Sequence, residues 1–518
     1  MCHRRSFRCR HWIANRRRLI DGQLHRHRRA VSMVTTDRPN ILIVLADGMQ
    51  AGAVEAASPC LTPTIDELAS VGLRFRNAHT TSPTCSPARA SFMTGVLPHN
   101  HGVLEIEHGR DSDQCVLRTE YPHFAQQLSA AGYRTGYFGK WHIERSHDVA
   151  KFGWQQAIVK DARHLRDLGK GDSGPSQVVL DDALCGYIDF PRGYRRILHW
   201  GVTDTPLEER YPGLTVLDAE QFLVDRLADA DPWCCCVSFS EPNEALVAGR
   251  EAWNCYDCAS LSLPVNYLDD LSDRPNIYQR QQEIGRRISE EHWRSALACY
   301  YARITEVDQL TGRLIEEIDR ADALQNTLVV FLADHGRYVG SHGFDAHNVG
   351  GFEEIYRIPL IVSGPGIARG RDCRAYVSIA DLGSTLCEIG TGTPFQHADS
   401  TSFRKLLSDP DQDSTDFSIG YSEYHGTRFA LTQRILWKDG WKLVFNGFDF
   451  DELYHLDDDP FEMRNRIAED DQQPRIEDMM AEIWRRARDT GDRTILESHY
   501  FSMRFACVGP DVDDPLPT

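Results

Sequence analysis

Arg38-Pro-Asn-Ile-Leu-Ile-Val-Leu-Ala-Asp47 contains a continuous apolar run, Ile41 to Ala46, closed by Asp47 and Gly48. An apolar run without polar alternation predicts a central parallel strand buried on both faces. Asp47 then lies at the strand's C-terminal end, the edge where open α/β sheets bind ligands, which makes it a better metal-ligand candidate than an acid elsewhere. Two further runs read as buried strands. Trp233 to Phe239 ends in Ser240-Glu241-Pro242-Asn243, and Leu328 to Ala333 ends in Asp334-His335-Gly336, which alone would be read as a turn.

Between these strands, Thr62-Pro63 opens a helix through Leu68 and Val71. The stretch Thr84-Cys-Ser-Pro-Ala-Arg-Ala-Ser-Phe-Met-Thr-Gly95 follows, with Pro87 suited to the first turn of a helix through Met93. Residue 85 would sit at that helix's N-terminus, where unpaired N–H groups and the positive dipole end favour an anion. Residues 103–120 read as loop. A helix over 122–131 leads to a short strand and Gly139-Lys140-Trp141-His142, where an extended backbone would turn Lys140 and His142 to one face. Residues 150–212 are Gly-, Asp- and Arg-rich and suit a long insertion. A helix is expected over 216–228, and 288–320 shows an amphipathic helical period. Past residue 415 come three short strands, 433–437, 441–445 and 453–456, and a helix over 474–488. Glu423-Tyr424-His425-Gly426 reads as structural.

The chain of 518 residues can bury a large core. It contains no run near the roughly 18 to 20 apolar residues of a membrane helix, so no membrane partner is expected. Residues 1–32 hold ten Arg and one acid, and Met33 is the expected start of translation. Setting them aside leaves 47 basic and 75 acidic residues, a net of −28, which argues against nucleic acid and anionic membranes as partners. Only seven of the 57 basic residues are Lys, a composition that hints at a high-salt source. The 15 Cys are odd in number, and Cys234-Cys235-Cys236 are adjacent in an apolar run, so reduced cytoplasmic thiols are expected. Cys255-x-x-Cys258 has no second pair at zinc-finger spacing and is read as structural.

Cys85-Ser86-Pro87-Ala88-Arg89 resembles the C-x-P-x-R signature of the type I sulfatases, formylglycine-dependent members of the alkaline phosphatase superfamily. The resemblance extends to Arg38 through Asp47, Gly139-Lys-Trp-His142, Asp334-His335-Gly336, the run 344–362 and Asp451 through Pro460. It covers about 39–470 in family order. It implies an alkaline-phosphatase-like α/β/α sandwich with a mostly parallel central sheet and a smaller C-terminal α+β subdomain. The expected division is a leader over 1–37, a catalytic domain over 38–415, a subdomain over 416–505 and a tail over 506–518.

The resemblance further implies that a formylglycine-generating enzyme oxidises Cys85 to an aldehyde. One divalent metal, calcium first and magnesium or manganese as alternatives, would be held by Asp47, residue 85, Asp334 and His335. Metal coordination would activate one hydroxyl of the hydrated aldehyde for attack on sulfur, and the second hydroxyl would release sulfate. Asp334 is expected to help accept the attacking hydroxyl's proton. Arg89, Lys140 and Asn243 are expected to stabilise the sulfuryl charge, His347 or Lys140 to assist the leaving oxygen, and His142 to act as base. The sequence departs from the pattern in three places. Gly48 stands where a second Asp is usual, Asn243 where Pro-His is usual, and His347 where many members have Lys, a change expected to make activity more pH-dependent. The expected activity is hydrolysis of a sulfate monoester, aryl or carbohydrate. The alternatives are a phosphonate or phosphate ester hydrolase of the same superfamily and a non-catalytic binding homologue.

Overall fold

The computed structural model describes residues 38–159, 178–243, 245–347, 349–397, 399–412, 415–427, 430–497 and 505–513. The leader and its Met33 start lie outside the described residues, as does 160–177 within the expected insertion. In chain order the strands are β1 (Asn40–Asp47), β2 (Leu73–His79), β3 (Arg134–Gly139), β4 (Gln156–Val159), β5 (Leu180–Ile188), β6 (Ile197–Thr203), β7 (Trp233–Pro242), β8 (Leu246–Gly249) and β9 (Thr327–Ala333). There follow β10 (Tyr338–Val339), β11 (Asp345–Ala346), β12 (Leu360–Ser363), β13 (Arg371–Ser378), β14 (Ile419–Tyr424), β15 (Gln433–Lys438), β16 (Trp441–Asn446) and β17 (Glu452–His455).

Eight strands form the main sheet in the order β13-β2-β12-β9-β1-β7-β3-β4. All neighbours are parallel except β12, which runs antiparallel to β2 and β9. β1 lies inside the sheet and every one of its residues is buried, which is why its sequence shows no polar alternation. Two groups of helices pack on the sheet: Pro63–Val71, Tyr211–Leu227 and Glu290–Arg320 in one, and Cys85–Thr94, Phe124–Ala130 and Ile379–Thr391 in the other. This is the expected sandwich.

Several local readings need correction. Residues 103–120 include a 3-10 turn, Glu107–Gly109, preceded by a short helix, Pro98–His101. The expected insertion contributes β4 to the main sheet, and β5 and β6 join β8 in a three-stranded sheet. The helix read from 216 begins at Tyr211, where Pro212 fits the first turn.

The C-terminal sheet is antiparallel in the order β14-β15-β16-β17, and β14 was absent from the sequence reading. Alternation along β15 sorts its two faces. Leu436 packs with Leu443, Leu453 and the helix Gln473–Thr490 through Met480 and Ile483. Ile435 and Trp437 join Phe352, Ile355 and Tyr356 of the larger unit.

Candidate active site

Parallel register brings four strand ends to one edge. Ala46 pairs with Ala333, so Asp47 and Asp334 emerge side by side, and the Asp334 N–H donates to the Ala46 carbonyl at 3.0 Å. Asp47 pairs with Pro242 across a register shift, which sets Asn243 beside it. Gly139 pairs with Ser238, and the Lys140 N–H donates to the Ser238 carbonyl at 2.9 Å. A Cβ at 139 would lie 2.0 Å from that carbonyl oxygen, so glycine is required for this approach.

The helix Cys85–Thr94 points its first turn at this edge, and all ten of its residues are buried. Cys85 Sγ stands where one oxygen on the Cβ of a formylglycine would lie. It lies 3.1 Å from His335 Nε2, 3.7 Å from Asp47 Oδ1, 3.7 Å from His347 Nε2 and 3.9 Å from Asn243 Nδ2. His335 Nδ1 donates to the Gly336 carbonyl at 2.7 Å, which leaves Nε2 to face residue 85.

Asp47, Cys85, Asp334 and His335 offer ligand atoms all within 4.8 Å of one another, and all four residues are buried. The carboxylates are divided in function. Their Oδ2 atoms meet cations: Asp47 is paired with Lys140 Nζ, and Asp334 accepts from Arg89 Nε at 2.7 Å. Their Oδ1 atoms lie 3.6 and 3.7 Å from His335 Nε2. Two inward oxygens, an imidazole nitrogen and the atom at residue 85 fit a divalent cation. Gly48 has no side chain to offer as a ligand, and its φ of 68° lies in the left-handed region that favours glycine.

Arg89 sits differently from its expected role. Its guanidinium is fully buried and donates to Asp334, to Ser238 Oγ at 2.6 Å, to the Lys140 carbonyl at 3.0 Å, to Asp47 at 3.5 Å and to the Phe239 carbonyl at 3.4 Å. These five contacts match its five N–H donors, so it holds the carboxylates and leaves no donor for a sulfuryl oxygen. The extended reading of Lys140 to His142 also fails. The strand ends at Gly139, His142 adopts φ 55°, and its Nε2 lies 3.0 Å from His108 Nδ1. Lys140 and His142 reach the pocket by a turn rather than by strand alternation.

Asn243 donates from Nδ2 to Asp47 Oδ1 at 2.7 Å, and its Oδ1 accepts from Arg337 at 2.8 Å. Arg337 is itself held by both oxygens of Asp345, at 2.9 and 3.1 Å. The amide is therefore oriented with its donors toward residue 85. Sequence reasoning missed Arg337, Ser238, Glu107 and His108. Arg337 directly follows Asp334-His335-Gly336, which was the one available signal for it.

Lys140, His335 and His347 surround residue 85 alongside the carboxylates Asp47 and Asp334. Burial raises the Cys85 thiol, but Lys140, His335 and His347 outweigh it and bring it well below the ordinary thiol range. Burial disfavours charge on His335, yet Asp334 and residue 85 lift it to about 10. Burial and the neighbouring Asp47 raise Asp334. An environment that favours a thiolate also favours a tetrahedral oxyanion.

The sulfatase family profile matches residues 39–392, and the profile described as N-sulphoglucosamine sulphohydrolase, C-terminal, matches 340–489. The choline-sulfatase of Rhizobium meliloti (strain 1021) is 28% identical over 466 residues, spanning 85% of this chain and 84% of that protein. The phosphonate monoester hydrolase of Silicibacter pomeroyi shares the fold, with a TM-score of 0.72 at 21% identity over 88% of this chain and 97% of its own. A protein solved with its substrate D-glucosamine-2-N,6-O-disulfate has a TM-score of 0.70 at 19% identity, over 88% of this chain and 98% of its own. No helix among the described residues is long and apolar enough to cross a membrane. A profile match over most of its length establishes that the chain belongs to the sulfatase family, whose named relatives are sulfuric ester hydrolases.

Proposed function

We propose that this sulfatase hydrolyses the sulfate monoester of a small aryl, amino-alcohol or sugar alcohol, with residue 85 as formylglycine. The supporting observation is the convergence on Cys85 Sγ of His335 Nε2 at 3.1 Å, Asp47 Oδ1 and His347 Nε2 at 3.7 Å, and Asn243 Nδ2 at 3.9 Å. Asp47, residue 85, Asp334 and His335 would hold a divalent cation, calcium in this proposal, which when bound supplies Lewis-acid activation and charge neutralisation. The hydrated aldehyde that a formylglycine-generating enzyme makes at residue 85 supplies one hydroxyl for attack and one for sulfate release.

The chain's own side chains have separable roles. Lys140 and the Asn243 amide bind sulfuryl oxygens, and Arg89 keeps Asp47 and Asp334 aimed at residue 85. Asp334 takes the proton of the attacking hydroxyl, His347 gives one to the departing alcohol, and His142 takes one when sulfate leaves. The buried free thiols Cys234, Cys235 and Cys236 support a reducing, cytoplasmic compartment, whereas the disulfide at Cys255 departs from the expectation of reduced thiols.

Mass spectrometry of the tryptic peptide from Asn77 to Arg89, from protein made in its native host, tests the nucleophile. Formylglycine at residue 85 is expected, and unmodified Cys throughout would remove this chemistry. Comparing turnover of an aryl sulfate with that of a phosphate diester on one preparation tests the substrate class. Faster diester turnover would favour the phosphonate and phosphate ester reading.

A further inference from the structure

Glu107, His108 and His142 converge outside the ligand set of residue 85. His142 Nε2 lies 3.0 Å from His108 Nδ1, and Glu107 Oε1 lies 3.4 Å from His108 Nδ1 and 3.8 Å from His142 Nε2. Three atoms at those separations share a point about 2.0 Å from each, the bond length of zinc to imidazole nitrogen and carboxylate oxygen. The second carboxylate oxygen, Oε2, faces Arg145 Nε at 3.6 Å, so the carboxylate is oriented with Oε1 toward the rings. Arg145 also donates to the Glu107 and Arg110 carbonyls, and the Glu107 N–H donates to Ser86 Oγ at 3.3 Å, which anchors the turn beside residue 85.

Glu107 and His142 are buried, whereas the His108 side chain is 38% exposed and gives an ion a path from solvent. Two imidazoles and one carboxylate with an open fourth position match zinc and its neighbours better than calcium or magnesium. With Nε2 of His142 turned to His108, the nitrogen left to interact with residue 85 is Nδ1.

We propose that Glu107, His108 and His142 form an inhibitory site for zinc or a similar divalent transition metal, distinct from the cation site at residue 85. Binding is ligand exchange without redox. Waters leave the ion as two nitrogens and one oxygen bind, and any proton on those nitrogens passes to solvent. Metal on Nε2 fixes the His142 ring with its proton on Nδ1, so the ring cannot accept a proton on the side facing residue 85. The inhibitory consequence rests on the role proposed above for His142, whereas the binding does not.

Full-length protein saturated with calcium, dialysed against zinc and analysed for metal content, tests the site. Wild type is expected to retain one zinc per chain more than His108→Ala, and cobalt in its place to give an intense tetrahedral absorption that the variant lacks. The zinc concentration that halves aryl sulfate turnover should rise at least about tenfold in His108→Ala. Equal zinc content in the two proteins overturns the site, and loss of the extra zinc with unchanged inhibition overturns its inhibitory role. Glu107→Gln, which keeps the side chain's size, is expected to weaken zinc binding in the same way and decides the matter if His108→Ala fails to fold. Absence of sulfatase turnover would count against the proposed function but leave the metal count decisive.

Discussion

Around residue 85, Arg89 and Lys140 face Asp47 and Asp334; in the seams on the two faces of the C-terminal sheet, Arg434 faces Asp492 on the helix side and Lys442 faces Glu353 and Glu462 on the side of the larger unit. Both regions are buried except at Lys140 and Glu353, which are partly exposed. In the seams the charges close on one another: Arg434 donates twice to Asp492 Oδ2, at 2.8 and 2.6 Å, and His99 meets Glu423 at 2.5 Å. In the pocket each carboxylate gives one oxygen to a cation and turns the other toward His335 and residue 85. Burial and charge are common to both regions, so neither identifies a site. His99, Glu423 and Asp492 also bring ligand atoms within 4.8 Å of one another, so convergence is common to both as well; what differs is that the pocket's group includes the Cys85 thiol.

The largest expected effect breaks the comparison on the pocket side. Cys85→Ser offers only one hydroxyl, so it should accept one sulfuryl group and stop, with steady turnover down at least about 10⁴-fold. Intact-mass measurement should find the sulfated protein, and continued turnover would sink the two-hydroxyl chemistry. On the seam side, Asp492→Asn removes the charge to which Arg434 donates twice and leaves Glu423 as its remaining acid, and should cost up to about 3 kcal/mol in urea unfolding. Its turnover per folded molecule should stay at the wild-type level.

Lys140→Ala is the complementary test. Loss of one preorganised cation should lower kcat by about 10²–10³ with little change in melting temperature. A large loss of stability with normal kcat would move Lys140 to the structural class.

The smallest effect concerns pH. Burial lowers His99, but Glu423 and the Thr490 carbonyl more than restore it and hold it at about 9, above its ordinary 6.5. A raised imidazole stabilises the fold fully below pH 6.5 and loses that contribution as pH rises through about 9. His99→Gln should therefore cost on the order of 2–3 kcal/mol at pH 6 and progressively less toward pH 9.5. Chemical denaturation at both values checks it, and a gap independent of pH would refute the assignment.

Much of the fold was legible because burial on both faces removes polar alternation, as in β1 and β9. Long amphipathic periods, as in Glu290–Arg320, are equally direct. β14 escaped because Ile419–Tyr424 mixes Gly, Ser and Glu with aromatics, and its Glu423 is buried through His99 and His425 rather than through apolar contact. The site was legible where a motif carries its chemistry on consecutive residues, as at 85–89 and 334–335.

Sequence by itself determined the strand ends that bear Asp47, Asp334 and Asn243, the helix start at Cys85 and the family to which these belong. Those features depend on local periodicity, turn chemistry and short motifs. Tertiary structure alone decided that Arg89 is consumed by the carboxylates, that Arg337 orients Asn243, and that Glu107, His108 and His142 share a point. Each of these depends on atoms brought within about 4 Å by strand register and loop packing, which the spacing of residues along a chain does not encode.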